Sequence, residues 1–235
     1  MSFTLGVEFT TFSIVARCPR TGMLGVGITT REMAVGSRCP HVRAGVGAVA
    51  TQASTDPRLG PLALRLLELG FSAPKVLREL EGSDPYIEPR QLAVVDRDGT
   101  VAARTGTRNR QWAGHVLGEG SVALGNALLG PHVAEAMARA FRESEGEDLE
   151  ERLLRAVEAG RDAGGQHGGQ QSAALLVCDR DAFPRVDLRV DQHPEPVGEL
   201  RRLLDLYRPL IPYYARRPRD PDLPRADEWL RQQGR

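Results

Sequence analysis

The sequence has little that could hold a metal, cross a membrane or attract a nucleic acid. Its three cysteines, Cys18, Cys39 and Cys178, are an odd number without metal-ligand spacing. We therefore interpret them as reduced thiols of a cytoplasmic protein; the alternative is a catalytic role for Cys18 or Cys39. No apolar run approaches the roughly 20 residues that a membrane span requires. The 31 basic residues equal the 31 acidic ones, so no global charge attracts the chain to nucleic acid or to an anionic membrane.

Cofactor motifs are absent as well. The chain has no His-Glu-x-x-His pair, no P-loop and no dinucleotide fingerprint, and we expect neither a metal nor a cofactor. The first ten residues lack the basic and apolar regions of a secretory signal. What remains is an ordinary globular composition, with 41% hydrophobic and 26% charged residues.

Hydrophobic periodicity predicts a mixed protein. Predicted strands cover 11–17, 23–30, 44–52, 90–96, 100–105, 172–177 and 186–190, and predicted helices cover 62–69, 73–81, 133–143, 147–159, 197–207 and 225–233. The stretch 112–126 is rich in glycine and is predicted to be irregular. Strand runs that alternate with helix pairs predict an α+β fold, in which two sheets pack face to face between helices. This is a four-layer αββα sandwich.

The chain divides into three predicted parts. Residues 1–10 form a leader and residues 11–207 form the sandwich domain. Residues 208–235 are rich in proline and arginine, and we expect an extended C-terminal tail on the surface or on a partner subunit. The tail is the basis for expecting a homo-oligomer.

The first predicted hairpin carries the most suggestive chemistry. Thr10, Thr11 and Ser13 form a hydroxyl cluster at the head of one strand, and Arg31 ends the partner strand. A threonine near a cation can be an activated nucleophile, although an ordinary hairpin is equally consistent with this spacing. In N-terminal-nucleophile hydrolases the first residue of such a sandwich is Thr, Ser or Cys. Its α-amine, with a pKa of about 8, can take the hydroxyl proton.

Several runs of sequence resemble one known family. They are residues 11–17, Arg31 with 34–36, 43–53, Trp112-Ala113-Gly114-His115, Gly125-Asn126, 170–175 and 186–191. In this order they are similar to a large bacterial and archaeal family of unknown function, assigned to the N-terminal-nucleophile hydrolase superfamily. The resemblance spans residue 11 to about residue 207. Its members typically begin Met-Thr, whereas ten residues precede Thr11 in this chain.

The resemblance implies a hydrolase that cleaves a carbon–nitrogen bond of a small amide, cyclic amide or peptide-like substrate. Thr11, Ser13 and Arg31 are the candidate catalytic residues. The candidate substrate-binding residues are Gln52, Asp56, His115, Asn126, Gln170, Gln171 and Ser172. The alternative is a non-catalytic protein that uses the same pocket for binding or assembly. Some relatives carry a peptidoglycan-binding domain, which suggests a link to cell-wall metabolism.

Each candidate residue also has a structural interpretation. Thr11 can satisfy a backbone group at a strand start, and Arg31 can form a surface ion pair. Gln52 and Asp56 can cap the helix that follows them. A lone His115 is more often structural than catalytic. The amides of Asn126, Gln170 and Gln171, with Ser172, can donate to an oxyanion or close a tight loop.

Overall fold

A computed structural model describes residues 10–234. Strands alternate with helices along this part of the chain, and residues 1–9, which hold most of the expected leader, lie outside it. The strands are β1 Thr11–Arg17, β2 Leu24–Thr30, β3 Pro40–Arg43, β4 Gly47–Ala53, β5 Arg90–Asp96, β6 Val101–Thr105, β7 Gly114–Gly118, β8 Ser121–Asn126, β9 Ser172–Cys178 and β10 Val186–Val190. The α-helices are α1 Leu59–Glu68, α2 Ala73–Ser83, α3 Pro131–Glu143, α4 Leu149–Asp162, α5 Pro196–Tyr207, α6 Ile211–Arg216 and α7 Ala226–Gln232.

The strands form two antiparallel sheets. The larger has the order β10-β9-β2-β1-β8-β7, and the smaller has the order β3-β4-β5-β6. Strand β1 therefore lies in the middle of the larger sheet, between β2 and β8. In this register Thr11 faces Thr30 on one side and Asn126 on the other. The candidate nucleophile is thus held by two neighbouring strands.

The alternation of side chains along β1 explains how the sheets pack. Phe12, Ile14 and Ala16 belong to a buried cluster with α3, α4 and α5. Val15 belongs to a second cluster, which joins the larger sheet to β4 and β5 of the smaller one. Because successive side chains of a strand point to opposite faces, Thr11 and Ser13 share the intersheet face with Val15. A third cluster packs α1 and α2 against β4 and β5.

The prediction of irregular structure for residues 112–126 is wrong over most of its length, because β7 and β8 occupy it. Gly114 and Gly125 allow side chains to pack closely against these strands. A β-carbon on Gly125 would come within 2.7 Å of the Leu128 side chain, and one on Gly114 would come within 2.5 Å of the Trp112 ring. Glycine in a strand often marks such an approach rather than a turn. The sequence pattern does not predict strand β3, whereas the other predicted strands and helices are confirmed within a few residues.

The expectation of an extended tail is wrong for residues 208–219, whereas the helix predicted for residues 225–233 is confirmed as α7. Residues 208–210 and 217–219 form 3₁₀ turns, and α6 is helical. Pro209, Pro212 and Pro218 each stand in the first turn of one of these elements, where proline has no hydrogen bond to lose. Ile211 is buried in the cluster of α3 to α5, so this segment packs on its own domain. The boundary at residue 208 and the homo-oligomer stay predictions.

One substitution tests the packing of α1 on the smaller sheet. A β-carbon on Gly47 would press on the Leu67 side chain of α1 and come within 2.8 Å of the Val95 carbonyl oxygen. We expect Gly47→Ala to lower the free energy of unfolding by about 1–3 kcal/mol through overpacking. Gly198 of α5 has open space around it, so Gly198→Ala should instead stabilise the protein by up to about 1 kcal/mol. Urea unfolding measures the change in the free energy of unfolding for both variants. Equal changes in Gly47→Ala and Gly198→Ala would contradict close packing of α1 at Gly47.

Candidate active site

The backbone carbonyl of Thr10 lies at the centre of the site. Its oxygen accepts hydrogen bonds from Thr30 Oγ1 at 2.7 Å, from Gln166 Nε2 at 2.5 Å and from the Arg31 backbone N–H at 3.2 Å. Thr10 and Thr11 are each only 1% exposed. Three donors around one carbonyl oxygen are the arrangement that stabilises negative charge on that oxygen during attack on the carbonyl carbon.

The hydroxyl of Thr11 is connected to the same carbonyl. Its Oγ1 lies 2.9 Å from Thr30 Oγ1. The single hydroxyl proton of Thr30 is donated to the Thr10 oxygen, so the proton between the two threonines must come from Thr11. The hydrogen bonds therefore run from Thr11 to Thr30 and from Thr30 to the Thr10 carbonyl oxygen. This direction fits a hydroxyl that loses its proton as it attacks.

A buried polar network continues from Ser13 into the smaller sheet. Ser13 Oγ donates to Gln52 Oε1 at 2.6 Å, and Gln52 Nε2 donates to Gln91 Oε1 at 2.8 Å. Asn126 Nδ2 donates to the same Gln91 oxygen at 3.1 Å. Gln91 Nε2 lies within 3.1 Å of Thr105 Oγ1 and of the Gly114 and Gly125 carbonyl oxygens. The structure thus brings together three predicted residues, Ser13, Gln52 and Asn126, through Gln91, which the sequence did not single out.

His115 lies at the outer end of this network. Thr105 Oγ1 accepts from Gln91 and can donate its own proton to His115 Nδ1, 3.0 Å away. Burial of part of the ring lowers the pKa of His115 below its ordinary 6.5. A neutral imidazole that accepts at Nδ1 agrees with both observations. His115 is therefore linked to the site through other side chains rather than through a contact with Thr11 in the described residues.

Three alanines with left-handed backbones surround the same end of the sheets. Their φ angles are 59° at Ala34, 65° at Ala53 and 52° at Ala127. Ala53 directly follows Gln52, and Ala127 directly follows Asn126. Each such residue costs about 1–3 kcal/mol, and strained residues concentrate at functional sites. The strain supports a site at this end.

The remaining predicted residues hold the loops beside Thr11. Ser172 Oγ donates to the Glu32 carbonyl at 2.5 Å and accepts from the Val35 N–H, so it fixes the loop after β2. The Gln171 N–H donates to the Thr30 carbonyl at 2.8 Å. Gln170 lies against Gly165, where a β-carbon would come within 2.6 Å of its Nε2. Arg31 follows Thr30 and lies over Gly168, so that a β-carbon there would come within 2.9 Å of Arg31 Nη1.

Asp56 is held by arginines at the start of α1. Its carboxylate accepts from Arg58 Nε at 3.0 Å, from Arg58 Nη2 at 2.7 Å and from the Arg58 backbone N–H at 3.0 Å. Arg90 lies 3.9 Å away. These bonds, chiefly those of the Arg58 side chain, lower the pKa of Asp56 from its ordinary 3.8 to about 2. Whether Asp56 also contacts a substrate stays a prediction.

The lowered pKa of Asp56 predicts a specific acid sensitivity. The Asp56 carboxylate binds a proton less readily in the folded state than in the unfolded chain. The contribution of Asp56 to stability is therefore complete above about pH 4. It is lost as the pH falls towards about 2. In urea titrations between pH 5 and pH 2, Asp56→Asn should show a shallower loss of stability than the wild type. Asp222→Asn, at an exposed carboxylate without an ion pair, should keep the wild-type profile. If stability fell equally with pH in the wild type and in Asp56→Asn, the lowered pKa of Asp56 would be contradicted.

Sequence patterns missed three residues that the structure brings into the site. Thr30 could have been found, because the turn at residues 18–23 fixes which residue faces Thr11. Gln91 gave no such signal, since a glutamine in a strand is ordinary. Gln166, with His167 and Gly168, departs from the pattern of the resembling family and so predicts an altered pocket, but not a bond to the Thr10 carbonyl. In the described part of the chain, no cluster of His, Cys, Asp or Glu could hold a metal ion. Within the same residues, no helix is both long and apolar enough to span a membrane.

Comparison with known proteins identifies the family. The model of a family of unknown function, DUF1028, matches residues 11–200. A crystal structure of a DUF1028 protein from Silicibacter pomeroyi is 34% identical, covers 84% of this chain and 89% of its own, and has a TM-score of 0.78. Anbu, the ancestral β-subunit, from Yersinia bercovieri is 11% identical over 91% of this chain and 98% of its own. Its TM-score of 0.40 carries no information on this fold or its chemistry. No curated protein is significantly similar. The chain belongs to the DUF1028 family.

Proposed function

We propose that this protein is a threonine-dependent amidohydrolase of the N-terminal-nucleophile type, and that its first substrate is its own Thr10–Thr11 peptide bond. The observation that carries the proposal is the continuous hydrogen-bond path from the Thr11 hydroxyl through Thr30 to the Thr10 carbonyl oxygen. The packing of helices on both sheets supports the finer description of the fold as a four-layer αββα sandwich.

The first step joins Thr11 Oγ1 to the Thr10 carbonyl carbon. The Thr11 proton moves to Thr30 Oγ1, and the Thr30 proton moves to the Thr10 oxygen, giving a neutral tetrahedral adduct. Gln166 Nε2 and the Arg31 backbone N–H donate to that oxygen throughout. When the adduct collapses, the carbon–nitrogen bond breaks and the hydroxyl proton of the adduct goes to the nitrogen. The product is an ester between Thr10 and Thr11, with a free α-amine on Thr11.

Water then completes the cleavage. Hydrolysis of the ester returns the Thr11 hydroxyl and leaves a carboxylate on Thr10, which departs with the leader. Thr11 is almost completely buried in the uncut chain, so an external amide can reach its hydroxyl only after this step. The new α-amine, with a pKa of about 8, then serves as the general base for attack on the external substrate.

Trapping of the ester tests this reaction. The full chain is translated in a purified, protease-free system with and without neutral hydroxylamine, and sampled over time by mass spectrometry. Hydroxylamine should accelerate release of the leader and leave a hydroxamate on Thr10, because it attacks esters faster than water does. Release of ragged fragments, or of none, would overturn the proposal. In that case the non-catalytic binding protein becomes the better description.

A further inference from the structure

Many charged side chains within residues 10–234 form ion pairs with one another. Arg201, for example, bonds to both Glu151 and Glu158. Three arginines at the Thr11 end differ from this pattern, namely Arg31, Arg108 and Arg110. Within residues 10–234 their guanidinium groups have no ion pair and no hydrogen-bond partner, and all three side chains are exposed. We call these three residues the arginine rim.

The arginine rim lies on both sides of the candidate nucleophile. Arg31 directly follows Thr30, the partner of Thr11 in β2. Arg108 and Arg110 line a cavity of about 30 Å³ together with Asn126, the partner of Thr11 in β8. This cavity has room for a water molecule next to Asn126. The cations therefore bracket the position at which a substrate carbonyl would meet the Thr11 hydroxyl.

Acidic residues at this end do not neutralise the arginine rim. Asp56 is bonded to Arg58, and Glu88 is bonded to Arg104 and Thr107. Asp191 is paired with Arg189, on the loop that follows β10. Glu32 stands next to Arg31 in the sequence without pairing with it. The rim keeps its positive charge although the chain as a whole is neutral.

Guanidinium groups recognise carboxylate and phosphate through two parallel hydrogen bonds, and bonds between charged groups are about twice as strong as neutral ones. We propose that the arginine rim selects a small amide that carries anionic groups on both sides of its scissile bond. The reaction on this amide rests on the proposed function, whereas recognition of the anionic groups does not. Arg31 holds one group, and Arg108 with Arg110 holds the other.

Calorimetric binding of two matched probes tests this inference on the full chain. N-succinylglycine carries one carboxylate on the acyl side and one on the nitrogen side of its single amide, and the compound with both carboxylates converted to primary amides is its neutral counterpart. The anionic probe should bind at least about tenfold more tightly, and raising the salt concentration should weaken its binding. Arg31→Gln, Arg108→Gln and Arg110→Gln should each weaken it about tenfold, as expected when one charged hydrogen-bonded pair is lost. Arg65→Gln, at an exposed and unpaired arginine of α1, should stay within about twofold.

Equal affinity for the two probes, or equal losses in the rim and control variants, would overturn the inference. The outcome of this binding test is independent of the outcome of the self-cleavage test under the proposed function. A chain that never cuts the Thr10–Thr11 bond yet prefers the anionic probe would refute self-cleavage and retain the arginine rim. A chain that cuts itself and binds both probes equally would support self-cleavage and refute the arginine rim.

Discussion

Thr11→Ala should leave every copy of the chain with an uncut Thr10–Thr11 bond, whereas the wild type should release its leader. The reason is that alanine offers no oxygen to attack the Thr10 carbonyl, although the three donors around that carbonyl remain. Thr11→Ser keeps the hydroxyl and should still cut itself. The mass of each purified chain, followed over time, measures the result. Release at the same bond by Thr11→Ala would contradict a nucleophilic role for Thr11.

Thr30→Val removes the hydroxyl that relays the proton but keeps the Thr11 nucleophile, so it tests proton transfer alone. Valine matches threonine in shape but cannot carry the proton from Thr11 to the Thr10 oxygen. Because positioned proton transfer contributes about 10²–10⁴-fold to a rate, self-cleavage should slow by a factor in that range. The same change at Thr29, whose hydroxyl bonds to the Ser172 carbonyl on the other face of β2, should leave the rate close to that of the wild type.

Gln91→Ala should produce the largest loss of stability among the substitutions considered. Gln91 is completely buried, and its removal leaves Gln52 Nε2, Asn126 Nδ2 and the carbonyls of Gly114 and Gly125 without these partners. A buried polar group that loses its partner costs about 1–3 kcal/mol, and such effects add only in part. We therefore expect the free energy of unfolding to fall by about 4 kcal/mol.

The matched control for Gln91 is an exposed glutamine with a single side-chain bond. Gln192 Nε2 donates to Gln171 Oε1 at 3.1 Å on the surface, so Gln192→Ala should change stability by less than about 0.5 kcal/mol. Urea unfolding at neutral pH compares the two. A loss below about 1 kcal/mol for Gln91→Ala would mean that the network relaxes or takes up water, and would contradict the account of a rigid polar connection between the sheets.

The sequence could predict what depends on local alternation. Thr11 and Ser13 alternate with Phe12 and Ile14, and this alone assigns the hydroxyls to one face of β1 and the apolar groups to the other. It could not predict which residues of the second sheet meet them. The contact between Ser13 and Gln52 depends on how two sheets align, and no residue near either one encodes that alignment.

Glycine and proline account for the two wrong structural predictions. Both residues usually mark turns and extended segments, but their neighbours in three dimensions decide their role. Gly125 lies in β8 because Leu128 occupies the space of its missing side chain. Pro212 starts a helix because its neighbour Ile211 can bury itself against α3 to α5. Neither contact is visible in the local sequence.

The mature N-terminus of the purified wild-type chain tests the central claim most directly. Intact-mass spectrometry, with sequencing of the first residues, should find a chain that begins at Thr11 and carries a free α-amine. A chain that keeps the Thr10–Thr11 bond after prolonged incubation, while folded and otherwise intact, would contradict the claim that Thr11 attacks the carbonyl of Thr10.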